Sequence, residues 1–229
     1  MTSDAEEDEP SGAPACFAHL LVGGHVVDQQ TWKDVATFRK SERKRLYELR
    51  QRVSAAERRA MSDRVGAMLT EVLGEVPGRT IAVYWPIRGE INLRPWMVEA
   101  SRHGARICLP VVVEKNQPVE FHLWTPGCAM SRGFWNIPVP AKPEPVAPDA
   151  VIVPLLGVDE HGYRLGNGGG YYDRTLARLP GDLLTIGVGQ PFARIKTIFP
   201  MPWDIAMKKV VLGDGSITDI ALKPDLRRG

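Results

Sequence analysis

Residues 150–174, AVIVPLLGVDEHGYRLGNGGGYYDR, decide how the rest of the chain is read. Ala150 to Leu156 is a short continuous apolar run, the pattern of a strand buried on both faces. It leads into Gly166, Gly168, Gly169 and Gly170, and the spacing predicts a helix over Tyr171 to Leu179 directly afterwards. Glycines let backbone amides converge, and a helix N-terminus adds partial positive charge, so strand, glycine loop and helix together make a phosphate cradle. The segment lacks the Lys-Ser/Thr pair of a Walker A loop, and its glycine spacing and late position do not fit a dinucleotide fingerprint. Arg164 and Arg174 bracket the loop and offer charge to phosphate oxygens. Asp173 falls in the first helical turn, where it either caps the helix or binds Mg²⁺ beside phosphates. Of Tyr171 and Tyr172, one is expected to face inward.

Working outward, strands and helices alternate. Upstream, Thr80 to Trp85, Arg106 to Val113 and Val119 to Trp124 read as strands, with Pro110 suggesting an edge or a bulge. Pro95 to Arg102 reads as a helix closed by His103-Gly104. Downstream, Leu183 to Val188 is a further strand. Five prolines between 138 and 148 indicate a stiff, extended connection. Near the start, Phe38, Leu46, Leu49 and Val53 fall at helical spacing. Ser54-Ala-Ala-Glu57 is a capping box opening a second helix, whose stripe of Met61, Val65, Met68, Leu69, Val72 and Leu73 ends at Gly74. The alternation implies an α/β fold of three-layer type, a central, mostly parallel sheet flanked by helices. Residues 1–37 read as an N-terminal extension, acidic and partly disordered, and 38–229 as one α/β domain.

The 229 residues include 29 Lys+Arg against 27 Asp+Glu, a net charge of +2. That balance argues against a protein that coats nucleic acid. Between Arg39 and Arg59 there are nine basic and three acidic residues. A solvated face is one reading of that stretch. The interleaved Glu42, Glu48 and Glu57 weigh against its use on nucleic acid. No apolar run approaches the ~18 residues of a membrane span, and an acidic start is the opposite of a basic signal peptide. Cys16, Cys108 and Cys128 fit neither a disulfide framework nor a zinc site, and the five histidines show no metal spacing. A cytoplasmic protein, expected to be monomeric, follows.

Pro154 to Asp159 and Arg164 to Arg174 together resemble the signature of the 5-formyltetrahydrofolate cyclo-ligase (5,10-methenyltetrahydrofolate synthetase) family. The resemblance extends over roughly residues 39 to 218. It takes in Val53 to Arg58, Ala82 to Ile91, Pro110-Val-Val, Phe121 to Gly127 and Gln190 to Asp204. It implies an ATP-dependent enzyme that closes the ring of 5-formyltetrahydrofolate, releasing ADP and phosphate, with a reduced folate and ATP as its small-molecule partners and Mg²⁺ as cofactor. Carried over position by position, Arg39 and Arg43 match basic residues that reach ATP phosphates, with Lys40 competing for the first place. Arg164, Leu165, Gly166, Asn167, Gly168, Gly169, Gly170, Tyr171 and Tyr172 match the ATP loop. Trp85 and Glu90 match folate contacts, which Gly168 to Tyr172 share. Asp173 matches a Mg²⁺ ligand, and Asp204 is a candidate for another, with a turn role as its competitor. Arg164, Tyr172 and Asp173 are the candidate catalytic residues.

The chain also departs from the pattern. Asn167 replaces a large residue, Asn92-Leu93 stands for an Asp-Thr pair so that a carboxylate is lost, and Val139 replaces a glutamate. Lys208 stands where an aspartate is expected, and a lysine cannot bind Mg²⁺. The phosphate loop is intact while the substrate side has drifted, so the alternative is a paralogue that binds ATP but acts elsewhere or is inactive.

Overall fold

The computed structural model describes residues 19–22 and 24–221. The first part of the expected N-terminal extension, residues 1–18 with Cys16, lies outside the described residues. A hairpin of β1 (His19–Val22) and β2 (His25–Asp28) leads into α1 (Gln29–Arg52) and α2 (Ala55–Leu73). There follow β3 (Thr80–Ala82), α3 (Arg94–Arg102), β4 (Arg106–Val111), β5 (Glu120–Trp124), β6 (Met130–Arg132) and β7 (Pro138–Pro140). The last part holds β8 (Ala150–Pro154), β9 (Gly157–Val158), β10 (Arg164–Leu165), α4 (Tyr171–Leu176), β11 (Leu184–Gly189), β12 (Lys209–Leu212) and β13 (Ile217–Asp219).

Seven strands form the central sheet in the order β13-β12-β11-β8-β3-β4-β5. The four inner pairings are parallel, and β13 and β5 close the edges antiparallel. Successive residues of β8 serve opposite faces. Ile152 joins Val65, Leu69, Trp96 and Met97 of α2 and α3. Val151 and Val153 join Leu176 of α4, Ala193 and Met207. Burial on both faces is why β8 reads as an unbroken apolar run instead of an alternating one. The α/β expectation therefore holds, with α2 and α3 on one face and the shorter α4 with its loops on the other.

Pro110 sits in β4, an interior strand, paired to Phe121 of β5. The β3 ladder stops at Ala82↔Cys108, so the proline falls where the β3 side has already run out. The strand is interior, but the position behaves as an edge, which is where a residue without an N–H is tolerated.

The capping box forms as read. Ser54 N donates to Glu57 Oε2 at 2.8 Å, and Glu57 N donates to Ser54 Oγ at 3.2 Å. The first helix starts earlier than its apolar spacing indicated. Asp28 caps it by accepting from Thr31 N at 2.7 Å, so α1 crosses position 38 without a break. Its inward face also differs from the expected one, because the buried residues are Val35, Arg39, Leu46 and Arg50. Spacings of four, seven and eleven put these on one side of a 3.6-residue helix. Leu46, with no exposed surface, anchors that side on Leu156, Leu165 and Ile198. The expected extended connection contains β7, paired with β6, and Pro145 bridges His122.

Candidate active site

The order of the sheet points to one crevice. From β3 the chain adds β4 and β5 on one side, while β8, β11 and β12 lie on the other. In open parallel sheets the groove outside the carboxyl ends at such a reversal is where ligands settle. The carboxyl ends of β3, β8 and β11 feed the turn carrying Glu90, the carbonyl of Leu155, and Gln190.

The glycine loop lies over this edge, held by arginines. Arg43 Nε donates to Gly166 O at 2.8 Å, and Arg174 Nη2 donates to Gly169 O at 2.6 Å. Two positions demand glycine. Gly168 has φ +95°, and a Cβ there would meet the Arg43 guanidinium at 3.4 Å. Gly170 has φ +65°, and a Cβ there would lie 2.7 Å from Arg174 Nη1. The helix after the loop is shorter than expected, six residues in place of nine. Its dipole is correspondingly small, so arginine side chains supply most of the positive charge here. Leu165 belongs to the core: its side chain is 1% exposed, and its carbonyl accepts from Leu156 N at 3.1 Å.

Arg164 is buried. Its Nη2 pairs with Asp173 Oδ1 at 2.9 Å, its Nη1 donates to Ile205 O at 3.1 Å, and its guanidinium stands 5.8 Å from the Tyr172 ring centre. Burial pushes the Asp173 carboxyl up from its ordinary value, and the Arg164 charge opposes that. Burial likewise raises the Tyr172 phenol, with the Glu90 charge adding to it, so the hydroxyl stays protonated and can donate.

The structure separates Arg39 from Lys40. Lys40 is exposed, whereas Arg39 is buried and fully engaged. Arg39 donates to Ile198 O at 2.9 Å and Phe199 O at 2.8 Å, and both its terminal nitrogens meet Asp204, Nη1 at 3.2 Å. Asp204 Oδ2 also accepts from Met201 N at 2.6 Å. The turn role considered for Asp204 is thus realised, together with an ion pair to another candidate.

These contacts bear on Mg²⁺. The ion asks for oxygen ligands but keeps several waters, so one carboxylate beside phosphates suffices. Asp173 fits, since only its Oδ1 is engaged by Arg164 and by Ile205 N at 3.2 Å. Asp204 fits poorly, with both oxygens committed. Among the described residues no group of three or more His, Cys, Asp or Glu is gathered for a metal.

Glu90 lies across the crevice from the loop. Its Oε2 accepts from Ile87 N at 3.0 Å, and the Asn167 side chain of the loop favours the charged form of the same carboxyl group. Asn167 in turn accepts a hydrogen bond from the Tyr47 hydroxyl of α1. Burial pushes the Glu90 carboxyl up to about 7, against the pull of Arg50 and Arg88 and its hydrogen bonds. Trp85 is partly buried against the α2/α3 core, with Arg94 5.3 Å above its ring, and shares no ring contact or hydrogen bond with the loop.

Sequence reasoning missed several residues that meet here. Tyr47 and Arg50 sit among many basic helix residues, and only the burial pattern separates them. Trp135 is 61% exposed, has φ +53°, and packs edge-on to Tyr171 with centroids 5.2 Å apart. Tyr171 itself is braced by Asn116 N, which donates to its hydroxyl at 3.1 Å. A separate cleft of about 600 Å³, lined by Val113, Phe121, Pro145 and Arg178 among others, contains none of these groups.

The model of the 5-formyltetrahydrofolate cyclo-ligase family matches residues 35–213. The chain belongs to that family. Two cyclo-ligases show how far the likeness runs. The protein from Mycolicibacterium smegmatis is 30% identical over 145 residues, covering 60% of this chain and 75% of that one. The Mycoplasma pneumoniae protein is 26% identical over 171 residues, covering 74% and 94%. Among solved structures, the NMR structure of Aquifex aeolicus 5,10-methenyltetrahydrofolate synthetase superposes with a TM-score of 0.67 at 29% identity, covering 83% of this chain and 99% of that one. The matched span begins inside α1 and ends one residue past β12, so it contains every element that shapes the cyclo-ligase crevice.

Proposed function

We propose that the protein converts 5-formyltetrahydrofolate and ATP into 5,10-methenyltetrahydrofolate, ADP and phosphate. The observation that carries this reading is the placement of Asn167: in the glycine loop it takes a hydrogen bond from Tyr47 and favours the charged form of the Glu90 carboxyl, so that a phosphate site and a site for paired N–H groups share one crevice.

The chemistry needs positioning more than reactive side chains. A formamide oxygen leaves poorly. It attacks the γ-phosphorus of ATP, and ADP departs. The folate N10 then attacks the formyl carbon, loses its proton, and expels phosphate as the ring closes. In this reading Gly166 to Gly170 and Arg43 cradle the phosphates, and Arg164 stabilises charge on the transferring group. The buried Arg39–Asp204 pair fixes the wall beside them. Glu90, when ionised, accepts the N–H groups of the pterin, Tyr172 offers its hydroxyl, and Trp135 with Tyr171 forms an aromatic wall. Asp173 would hold Mg²⁺, which supplies charge neutralisation between phosphates. The same reading makes the protein a cytoplasmic monomer.

A second reading is favoured by one arrangement. Asp204 is consumed by Arg39, and Lys208 replaces an acid, so one carboxylate remains for the metal. A nucleotide-binding paralogue would look like this. Turnover decides between the two. Purified protein with 5-formyltetrahydrofolate and Mg-ATP should produce the absorbance of the methenyl product, and Asp173→Ala should lose it. ATP binding by calorimetry without any product would select the paralogue.

A further inference from the structure

Arg50 has surroundings that the proposed reaction does not use. It lies in the last turn of α1 and is 2% exposed. Its Nη2 donates to Leu155 O at 2.7 Å, but Nε and Nη1 are buried without a hydrogen-bond partner. None of the ion pairs among the described residues includes it. Gln190, equally buried, donates from Nε2 to Gly89 O at 2.8 Å, and its Oε1 is also unmatched. The two side chains meet under one residue: Gly89 has φ +75°, and a Cβ there would lie 3.3 Å from Arg50 Cγ. A buried guanidinium with so few partners is costly to keep, which asks for a reason.

We propose that Arg50 and Gln190 are positioning residues for Glu90: they hold the turn Ile87–Glu90 from beneath, so that its carboxyl group is set to receive a ligand edge carrying two adjacent N–H groups. The folate reading is needed only to name that edge as a pterin. Glycine at 89 is then what lets the arginine stem approach the turn so closely.

The charges agree with this geometry. Among opposite charges, Glu90 acts most strongly on Arg50, and Arg50 most strongly on Glu90. The other groups facing Glu90 are Arg88 on its own turn, the Asn167 amide from the loop, and the Tyr84 and Tyr172 hydroxyls, whose acidities burial suppresses. Burial drives Glu90 towards its neutral form, and the Arg50 charge opposes it.

The test follows the Glu90 carboxyl carbon by NMR in ¹³C-glutamate-labelled full-length protein, with the signal assigned by its loss in Glu90→Gln. Replacing Arg50 by Gln, which retains a donor for Leu155, should raise the titration midpoint by about one unit, the scale of one neighbouring charge. Arg50→Lys should restore it. In the turnover assay at pH 7, Arg50→Gln and Gln190→Leu should raise KM for the folate roughly tenfold, the scale of one lost hydrogen bond to a charged group, and leave KM for ATP near its starting value. An unmoved midpoint, or KM values for folate and ATP that rise together, overturns the proposal. Wild-type protein that forms no methenyl product sinks the folate reading instead and leaves the titration to judge Arg50.

Discussion

The Tyr47 hydroxyl of α1 donates to Asn167 in the glycine loop after β10, and the Asn167 side chain favours the charged form of Glu90 in the turn that follows β3. One of the residues that depart from the family pattern, Asn167, therefore lies between the two halves of the site. A short amide fits beside Tyr47 and accepts from its hydroxyl. Asn167→Ala should remove that hydrogen bond. A lost neutral hydrogen bond is worth about 0.5–1.5 kcal/mol, so KM for the folate should rise by roughly two- to tenfold. Tyr47→Phe should have a smaller effect in the same direction. Steady-state kinetics with each substrate varied separately checks both.

The raised Glu90 carboxyl makes stability and binding respond to pH in opposite senses. Its folded value is about 7 against an ordinary 4.5, so between these the folded state holds the proton more tightly. Stability is then highest below about pH 4.5 as far as this group is concerned, and falls as pH rises towards 7. The loss is roughly 2 kcal/mol once screening at a partly open site is allowed for. Folate affinity should instead improve over the same range as the carboxylate forms. Urea unfolding at several pH values should show the slope in wild type and lose it in Glu90→Gln.

The buried Arg39–Asp204 pair predicts a non-additive stability series. Removing either partner leaves the other charge buried, at a cost of about 3–5 kcal/mol. Replacing both with apolar residues of similar size should cost less than either single change. The double variant should stay folded yet bind ATP weakly if Arg39 also faces phosphate. Thermal melts and calorimetric titration with ATP separate these two effects.

Gly170→Ala tests the loop. A Cβ there would stand at φ +65° and collide with Arg174 Nη1. The strain is of the order of 1–3 kcal/mol, and because the loop is open it should appear mainly as weaker ATP binding. Gly166→Ala is the control, since no atom lies within 4 Å of a Cβ at that position. Its ATP affinity should change far less.

How much of this was legible beforehand depended on whether a feature was local. β8, the capping box and the glycine loop announce themselves because each is a contiguous pattern with one physical cause. The strands β12 and β13, the hairpin β1–β2 and the ribbons β6–β7 and β9–β10 did not. They are two to four residues long and form only because a partner lies beside them. The site divides the same way. Arg39 and Arg43 could be proposed from the family resemblance, but nothing in the helix sequence distinguishes Arg39, which is buried on Asp204, from exposed Lys40 beside it. That difference is set by residues 198–204, some 160 positions away. Arg50, buried under Gly89, is hidden for the same reason.

The most direct test of the central claim is to count phosphate released against methenyl product formed by the purified protein, with Mg-ATP and 5-formyltetrahydrofolate. One crevice that serves both substrates predicts one phosphate per methenyl group, and no phosphate release when the folate is withheld. Phosphate release that ignores the folate, or ATP binding with no methenyl product at all, would contradict it.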